Sequence, residues 1–141
     1  MPVTLITGAA SGIGLATARH LSNAGHTVYG ADINPIKGEA FTLVATDVRD
    51  SDAVNACVAQ VIAETGHIDA LVNNVGVGMI GALEETSVTE AQDLFDVNFF
   101  SMVRMTNAVL PHMREQGNGR IINLSSVDGL LSIPFQGMYS T

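Results

Sequence analysis

The 141 residues predict an α/β domain built as a doubly wound parallel sheet, and three observations carry the prediction. Short runs rich in Val, Ile, Leu and Thr alternate with longer segments whose apolar residues recur at helical spacing, the pattern of strands joined by crossover helices. Most of the runs end in Gly, Asn or Asp, residues that stop strands and open turns. Hydrophobic residues make up 47% of the chain and charged residues 14%, a composition that forms a core.

Strands are expected at residues 3–7, 26–32, 41–47, 70–74 and 120–124, each short, apolar and with strong β-formers. Helices are expected at 13–23, 51–64 and 88–114. Ser87 and Glu90 form a Ser-x-x-Glu capping box ahead of the apolar Ala91, Leu94 and Phe95, which marks where the last helix begins. Gly117 and Gly119 mark its end, and Pro111 inside the pattern bends the last turns without stopping them. The link from Asp32 to Phe41 contains Asn34-Pro35 and Gly38, and it is too short for a full helix. A loop or single turn is expected there. No low-complexity tract, repeat or charge block divides the chain, so residues 1–141 read as one domain.

Charge and cysteine content exclude several functions. Fourteen acidic against six basic residues give a net charge of −8, which repels phosphate backbones and anionic bilayers; neither nucleic acid nor membrane is an expected partner. The one cysteine, Cys57, falls in an apolar periodic segment and reads as a buried thiol. His20, His26, His67 and His112 show no metal-ligand spacing, and no metal is expected. Glu84 and Glu85 read as a solvated approach to a helix, not as an acid pair of a glycosidase. The N-terminus has neither a basic region nor a cleavable apolar stretch, and the chain is read as cytoplasmic. Met102, Met105, Val109 and Met113 keep helical spacing and form a stripe for a core or an intersubunit contact.

The first chemical motif is Thr7-Gly8-Ala9-Ala10-Ser11-Gly12-Ile13-Gly14, where the first strand meets the first helix. Glycines there allow a tight turn and a close approach to a pyrophosphate, whose charge the free amides of the helix N-terminus would face. The same spacing also occurs in ordinary Gly-rich turns, so a second feature has to decide. Asp32 is that feature: a carboxylate at the end of the second strand can accept hydrogen bonds from ribose hydroxyls and repels a 2′-phosphate. NAD is therefore favoured over NADP. Lys37 is the nearest residue able to hold a phosphate there.

Taken together, these stretches resemble the N-terminal part of a short-chain dehydrogenase/reductase over essentially the whole chain, which implies a Rossmann-type fold with its five strands, numbered along the chain, in the order 3-2-1-4-5. Thr7 to Gly14 resembles the T-G-x-x-x-G-I-G loop of that family, Asp47-Val48 the acidic pair that meets adenine, and Asn73-Asn74-Val75-Gly76 its N-N-A-G stretch, with Val75 in place of Ala. Asn98 resembles the helix asparagine of the catalytic set, and Ser126 precedes Tyr139 by the family's spacing of thirteen positions. The resemblance implies cofactor contacts from Gly8, Ser11, Gly12, Ile13, Gly14, Asp32, Asp47, Val48, Asn74, Val75 and Gly76. It implies that Tyr139 exchanges the substrate proton, that Ser126 hydrogen-bonds the substrate oxygen, and that the Asn98 carbonyl holds a relay water. Asn73 and Asn74 also fit as caps of the fourth strand.

The family places a lysine four residues after the tyrosine, and these residues stop at Thr141. Family members run to about 250 residues, an ordinary size for one α/β domain, so C-terminal strands and helices are expected to be missing and these 141 residues inactive as they stand. Two further readings are a silent dinucleotide-binding module and a fragment that oligomerises through an exposed edge of the fifth strand. The expected substrate is a small alcohol or ketone, hydrophobic if Gly78-Met79-Ile80 and the segment 130–138 line the cleft. A homo-oligomer is expected, with residues 88–114 resembling half of the family's dimer bundle.

Overall fold

A computed structural model describes residues 1–141. Five strands, β1 (Val3–Thr7), β2 (Thr27–Asp32), β3 (Thr42–Ala45), β4 (Ala70–Asn73) and β5 (Arg120–Asn123), form one sheet in the order β3-β2-β1-β4-β5. All four pairings are parallel, so the expected order and direction both hold. Parallel neighbours need crossovers, and their right-handedness decides which face each helix covers. Helix α1 (Gly12–Asn23) lies on one face; α2 (Ser51–Thr65) and α4 (Ser101–Gln116) lie on the other.

The two faces are unequally filled. On the α2 and α4 side, Val54, Cys57, Val58 and Val61 of α2 and Met105, Val109 and Met113 of α4 close over Val3, Leu5, Tyr29, Ala31, Ile68 and Leu71. Each such fully buried aliphatic side chain contributes about 1.5–3 kcal/mol relative to an exposed one. The methionine stripe thus splits: Met105 and Met113 enter this core, while Met102 faces a cleft. On the α1 side only Ile6, Ala9, Ala18, Val28 and Val72 are enclosed, with Leu21, Phe41 and Leu43 beside them. Ile122 and Leu124, on and after edge strand β5, stay exposed.

The stretch expected as one helix from 88 to 114 is divided. Helix α3 (Val88–Phe95) runs into a π-helical turn at Asp96–Phe100 before α4 begins. One extra residue in that turn leaves the apolar spacing almost unchanged, which is why the sequence pattern does not disclose it. Pro111 lies inside α4, which continues to Gln116 and ends at Gly117 with φ of 76°. The link between β2 and β3 has no helix. It is tied to α1 by a two-toothed ion pair, Arg19 Nε and Nη2 to Glu39 at 2.9 and 2.6 Å.

Strand β3 is shorter than the expected 41–47, because Asp47 already begins the turn in which the Asp50 amide donates to its carbonyl.

Candidate functional site

The Gly-rich loop leaves the C-terminal end of β1 and is held from two sides. The Gly8 amide donates to the Ala31 carbonyl of β2 at 2.8 Å. The Thr7 hydroxyl accepts from the amides of Asn74 and Val75, at 3.0 and 3.1 Å, and the Asn74 side-chain amide donates to the carbonyls of Thr7 and Gly8. Asn74 is therefore a brace between β4 and the loop. Gly8 has φ of 69° and Gly12 φ of 53°, the left-handed region that glycine enters without cost from a Cβ. Gly14 is buried under the loop, where a Cβ would stand 2.1 Å from the Gly8 carbonyl oxygen and 2.5 Å from Asn74 Nδ2.

This packing aims the N-terminus of α1 outward with nothing of its own to neutralise it. Ser11 occupies the N-cap position but makes no side-chain cap bond, and the first turn has no acidic residue. Ser11, Gly12 and Ile13 are exposed. The amides of such a turn carry the positive end of the helix dipole, the setting in which a diphosphate binds. Asp32 stands beside it: one carboxylate oxygen accepts from the Ala10 amide of the loop and the other from the Asn34 amide, each at 3.0 Å. The carboxylate is thereby fixed in direction, with acceptor capacity left over. These features fit a dinucleotide.

Asp47 and Val48 follow β3. Asp47 is gripped by Arg49 through the guanidinium, at 3.0 and 2.7 Å, and through the main-chain amide at 2.9 Å. The Arg49 side-chain hydrogen bonds, then its main-chain bond, hold the Asp47 carboxyl below its usual range. Val48 is buried, so any outward contact it makes is through its main chain.

The three candidate catalytic residues share one cleft of about 610 Å³, whose walls also include Ile13, Asn74, Val75 and Gly76. Asp32, Asp47 and Val48 are not among its lining residues. The expected site thus extends beyond this cleft. Ser126 caps a 3₁₀ turn, Val127–Gly129, by accepting from the Asp128 amide at 3.2 Å. Its hydroxyl proton remains available for donation into the cleft. Tyr139 is half-buried in the turns that close the other wall. Asn98 sits in the π-helical turn with its side chain engaged: Oδ1 accepts from the Val77 amide and Nδ2 donates to the Val77 carbonyl, both at 2.8 Å.

Asn73, by contrast, is buried in the sheet, donating to Asn123 at 2.8 Å and to Thr106 at 3.4 Å.

Two contacts escaped the sequence reading. Thr7 is the acceptor on which the turn after β4 hangs, and Asn98 acts through its side chain on Val77. A threonine ending a strand beside glycine was the available signal for the first; no local signal marks the second. Burial raises the Cys57 thiol's pKa, as expected of a packed cysteine. No three His, Cys, Asp or Glu side chains converge as metal ligands, and no helix is long and apolar enough to cross a membrane.

Comparison with known proteins decides what this arrangement belongs to. The model of the short chain dehydrogenase family matches residues 2–141. The chain belongs to the short-chain dehydrogenase family. It is 46% identical over 140 residues to a 3-ketodihydrosphingosine reductase of Bacteroides thetaiotaomicron, covering 98% of this chain and 52% of that protein. Among solved structures, a short-chain dehydrogenase from Streptomyces avermitilis superposes with a TM-score of 0.90 at 39% identity, covering 99% of this chain and 54% of the other. An NAD⁺-bound xylitol dehydrogenase superposes at 0.91 with 28% identity, covering 99% and 58%. The chain spans about half the length of these short-chain dehydrogenases. Membership makes it part of an oxidoreductase family that binds nicotinamide cofactors and acts on small molecules.

Proposed function

We propose that these residues form the cofactor half and part of the catalytic half of an NAD-dependent dehydrogenase or reductase acting between an alcohol and its carbonyl. The observation that carries the proposal is the uncapped α1 N-terminus beside a carboxylate already oriented by the Ala10 and Asn34 amides. A diphosphate would lie against the amides of Ser11, Gly12 and Ile13, with Gly8 and Gly14 allowing the approach. Asp32 would accept the hydroxyls of the adenosine ribose. Asp47 and the Val48 main chain would border the adenine, while Asn74, Val75 and Gly76 would border the nicotinamide end.

In the cleft, Ser126 would donate its free hydroxyl proton to the substrate oxygen, and Tyr139 would give or take the substrate proton. Asn98 would keep the loop at Val77 in place and turn its main-chain carbonyl to a relay water. When bound, the cofactor supplies or accepts the hydride. The lysine found four residues beyond the tyrosine in this family is not among these 141 residues. Apolar side chains at the surface of the two helical segments, Val88, Phe99, Phe100 and Val103, support a homo-oligomer.

Asp32 supports NAD over NADP, because a 2′-phosphate would meet its carboxylate. Arg19, held by Glu39, is not free to compensate. Fluorescence titration is expected to show NADH binding and NADPH binding weaker by roughly tenfold or more, the cost of opposing like charges. Asp32→Ser should narrow that gap. Equal affinity for both cofactors would remove the assignment of Asp32, and no affinity for either would remove the proposal.

A further inference from the structure

We propose that two loops at the mouth of the cleft form a binding site for the aliphatic chain of a long-chain ketone or alcohol that carries no anionic group. The proposal rests on the hydride-transfer reading of the cleft and specifies its substrate class. Residues 75–83 and 129–141 contain no Asp, Glu, Lys or Arg, and Asp128 just before the second stretch is buried. The two loops are joined: the Gly81 amide donates to the Phe135 carbonyl at 2.8 Å. Phe135 is the one non-glycine residue at positive φ, 65°, a conformation uncommon for a bulky side chain.

The joined loops present apolar side chains outward. Ile80 is 79% exposed, Leu131 71%, Phe135 67% and Leu83 63%. They are continuous with the cleft, since Val77 and Gly78 at the start of one loop and Gly129 and Met138 of the other line it beside Ser126 and Tyr139. A carbonyl held at Ser126 and Tyr139 would thus send its chain along these side chains. Scattered single apolar residues on a surface mean little, but a cluster bordering a cleft marks a ligand site.

Charge argues against an anionic ligand. Of the six cationic side chains, Arg19, Arg49 and Arg104 are taken by Glu39, Asp47 and Asp96. Arg114, in the last turn of α4, and Arg120, at the start of β5, lie at the end of the sheet away from the cleft. Lys37 is in the crossover between β2 and β3. No cation is left at the mouth to receive a carboxylate or a phosphorylated carrier. The net charge of −8 likewise opposes an anionic bilayer.

The test is calorimetric titration of the 141-residue chain, with and without NADH, using straight-chain 2-alkanones of increasing length below their aggregation concentrations. Affinity should rise roughly two- to four-fold per added methylene, the upper figure corresponding to full burial. Fatty acids of equal length should bind at least tenfold more weakly. The double variant Ile80→Ser, Leu131→Ser should flatten the series while leaving NADH affinity unchanged. A flat series in a chain that binds NADH overturns the inference, as does a slope that survives the double variant. A slope that persists in a chain that does not bind NADH keeps the apolar site and overturns the hydride-transfer reading instead. Sedimentation of the chain with phosphatidylcholine vesicles free of ketone would replace the substrate-chain site by a surface for docking on lipid.

Discussion

The N-termini of α1 and α3 begin with the same residue type, yet only one is closed. Ser11 precedes α1 with φ −153° and ψ 169° and caps nothing. Ser87 precedes α3 with φ −71° and ψ 156° and completes a capping box with Glu90. Helix α2 follows the closed pattern, with Asp50 accepting from Asp52 and Ala53. The difference lies in the backbone, in the serine's own φ and in the residue after it. Gly12, at φ 53°, turns the backbone out of the path that would bring the Ser11 hydroxyl over the amides of the first turn. Two helices satisfy their own ends and the third keeps its amides exposed. A helix end left open beside a fixed carboxylate is the part of the fold proposed to meet the cofactor, whereas the closed ends satisfy their own amides.

Breaking the open end should produce the largest effect. Gly14→Ala places a Cβ 2.1 Å from the Gly8 carbonyl oxygen, a main-chain atom held by β1 and by Asn74 that cannot swing aside. Overpacking of this kind costs about 1–3 kcal/mol and more where backbone must move. The expected outcome is a clear fall in melting temperature together with loss of measurable NADH binding. Retention of both would mean that the loop is looser than its hydrogen bonds indicate.

A smaller change should separate the two purposes of a helix end. Ser11→Asp puts a carboxylate at the dipole's positive pole, which stabilises a helix by about 0.3–1 kcal/mol. The same charge would face the diphosphate, so NADH affinity should fall roughly tenfold or more while the melting temperature holds or rises slightly. Opposite movement of the two readouts is the signature sought. If affinity were unchanged, the diphosphate would have to lie away from the α1 N-terminus.

How far the sequence discloses this contrast depends on how local each cause is. The loop glycines, the Ser87–Glu90 box and the helix-free link after Asp32 all follow from residues near in sequence, and each was legible; the strand order is non-local and was legible only through the resemblance to a family. The π-helical turn at Asp96–Phe100 was not, because it inserts one residue into an apolar spacing that still reads as helical. The open Ser11 was illegible for a related reason: its residue type says cap, and only the backbone at Ser11 and Gly12 says otherwise. The braces are non-local. Asn74 reaches Thr7, and Asn98 reaches Val77, pairings created by the sheet and absent from any short window. For the same reason Asn73 and Asn74, adjacent and alike in sequence, part company: one ties β4 to β5 and the other holds the Gly-rich loop.

The closed end offers the smallest and cleanest contrast. Glu90 accepts from the Ser87 hydroxyl at 2.7 Å and from the Ser87 amide at 2.8 Å, and these bonds hold its carboxyl below the ordinary value. A carboxylate depressed on folding adds stability that is present above its unfolded pKa, about 4.3, and is lost as pH falls through the lower folded value. Glu90→Gln keeps a side-chain oxygen able to accept the amide bond but removes the charge. Thermal melts should therefore show the variant slightly less stable at neutral pH, with the gap closing below about pH 4. NADH affinity should not move at any pH in that range, because the box belongs to α3 and the diphosphate to α1. A gap independent of pH would assign the contribution to shape rather than charge. A shift in NADH affinity would show that closed and open helix ends are coupled, against the division drawn from their geometry.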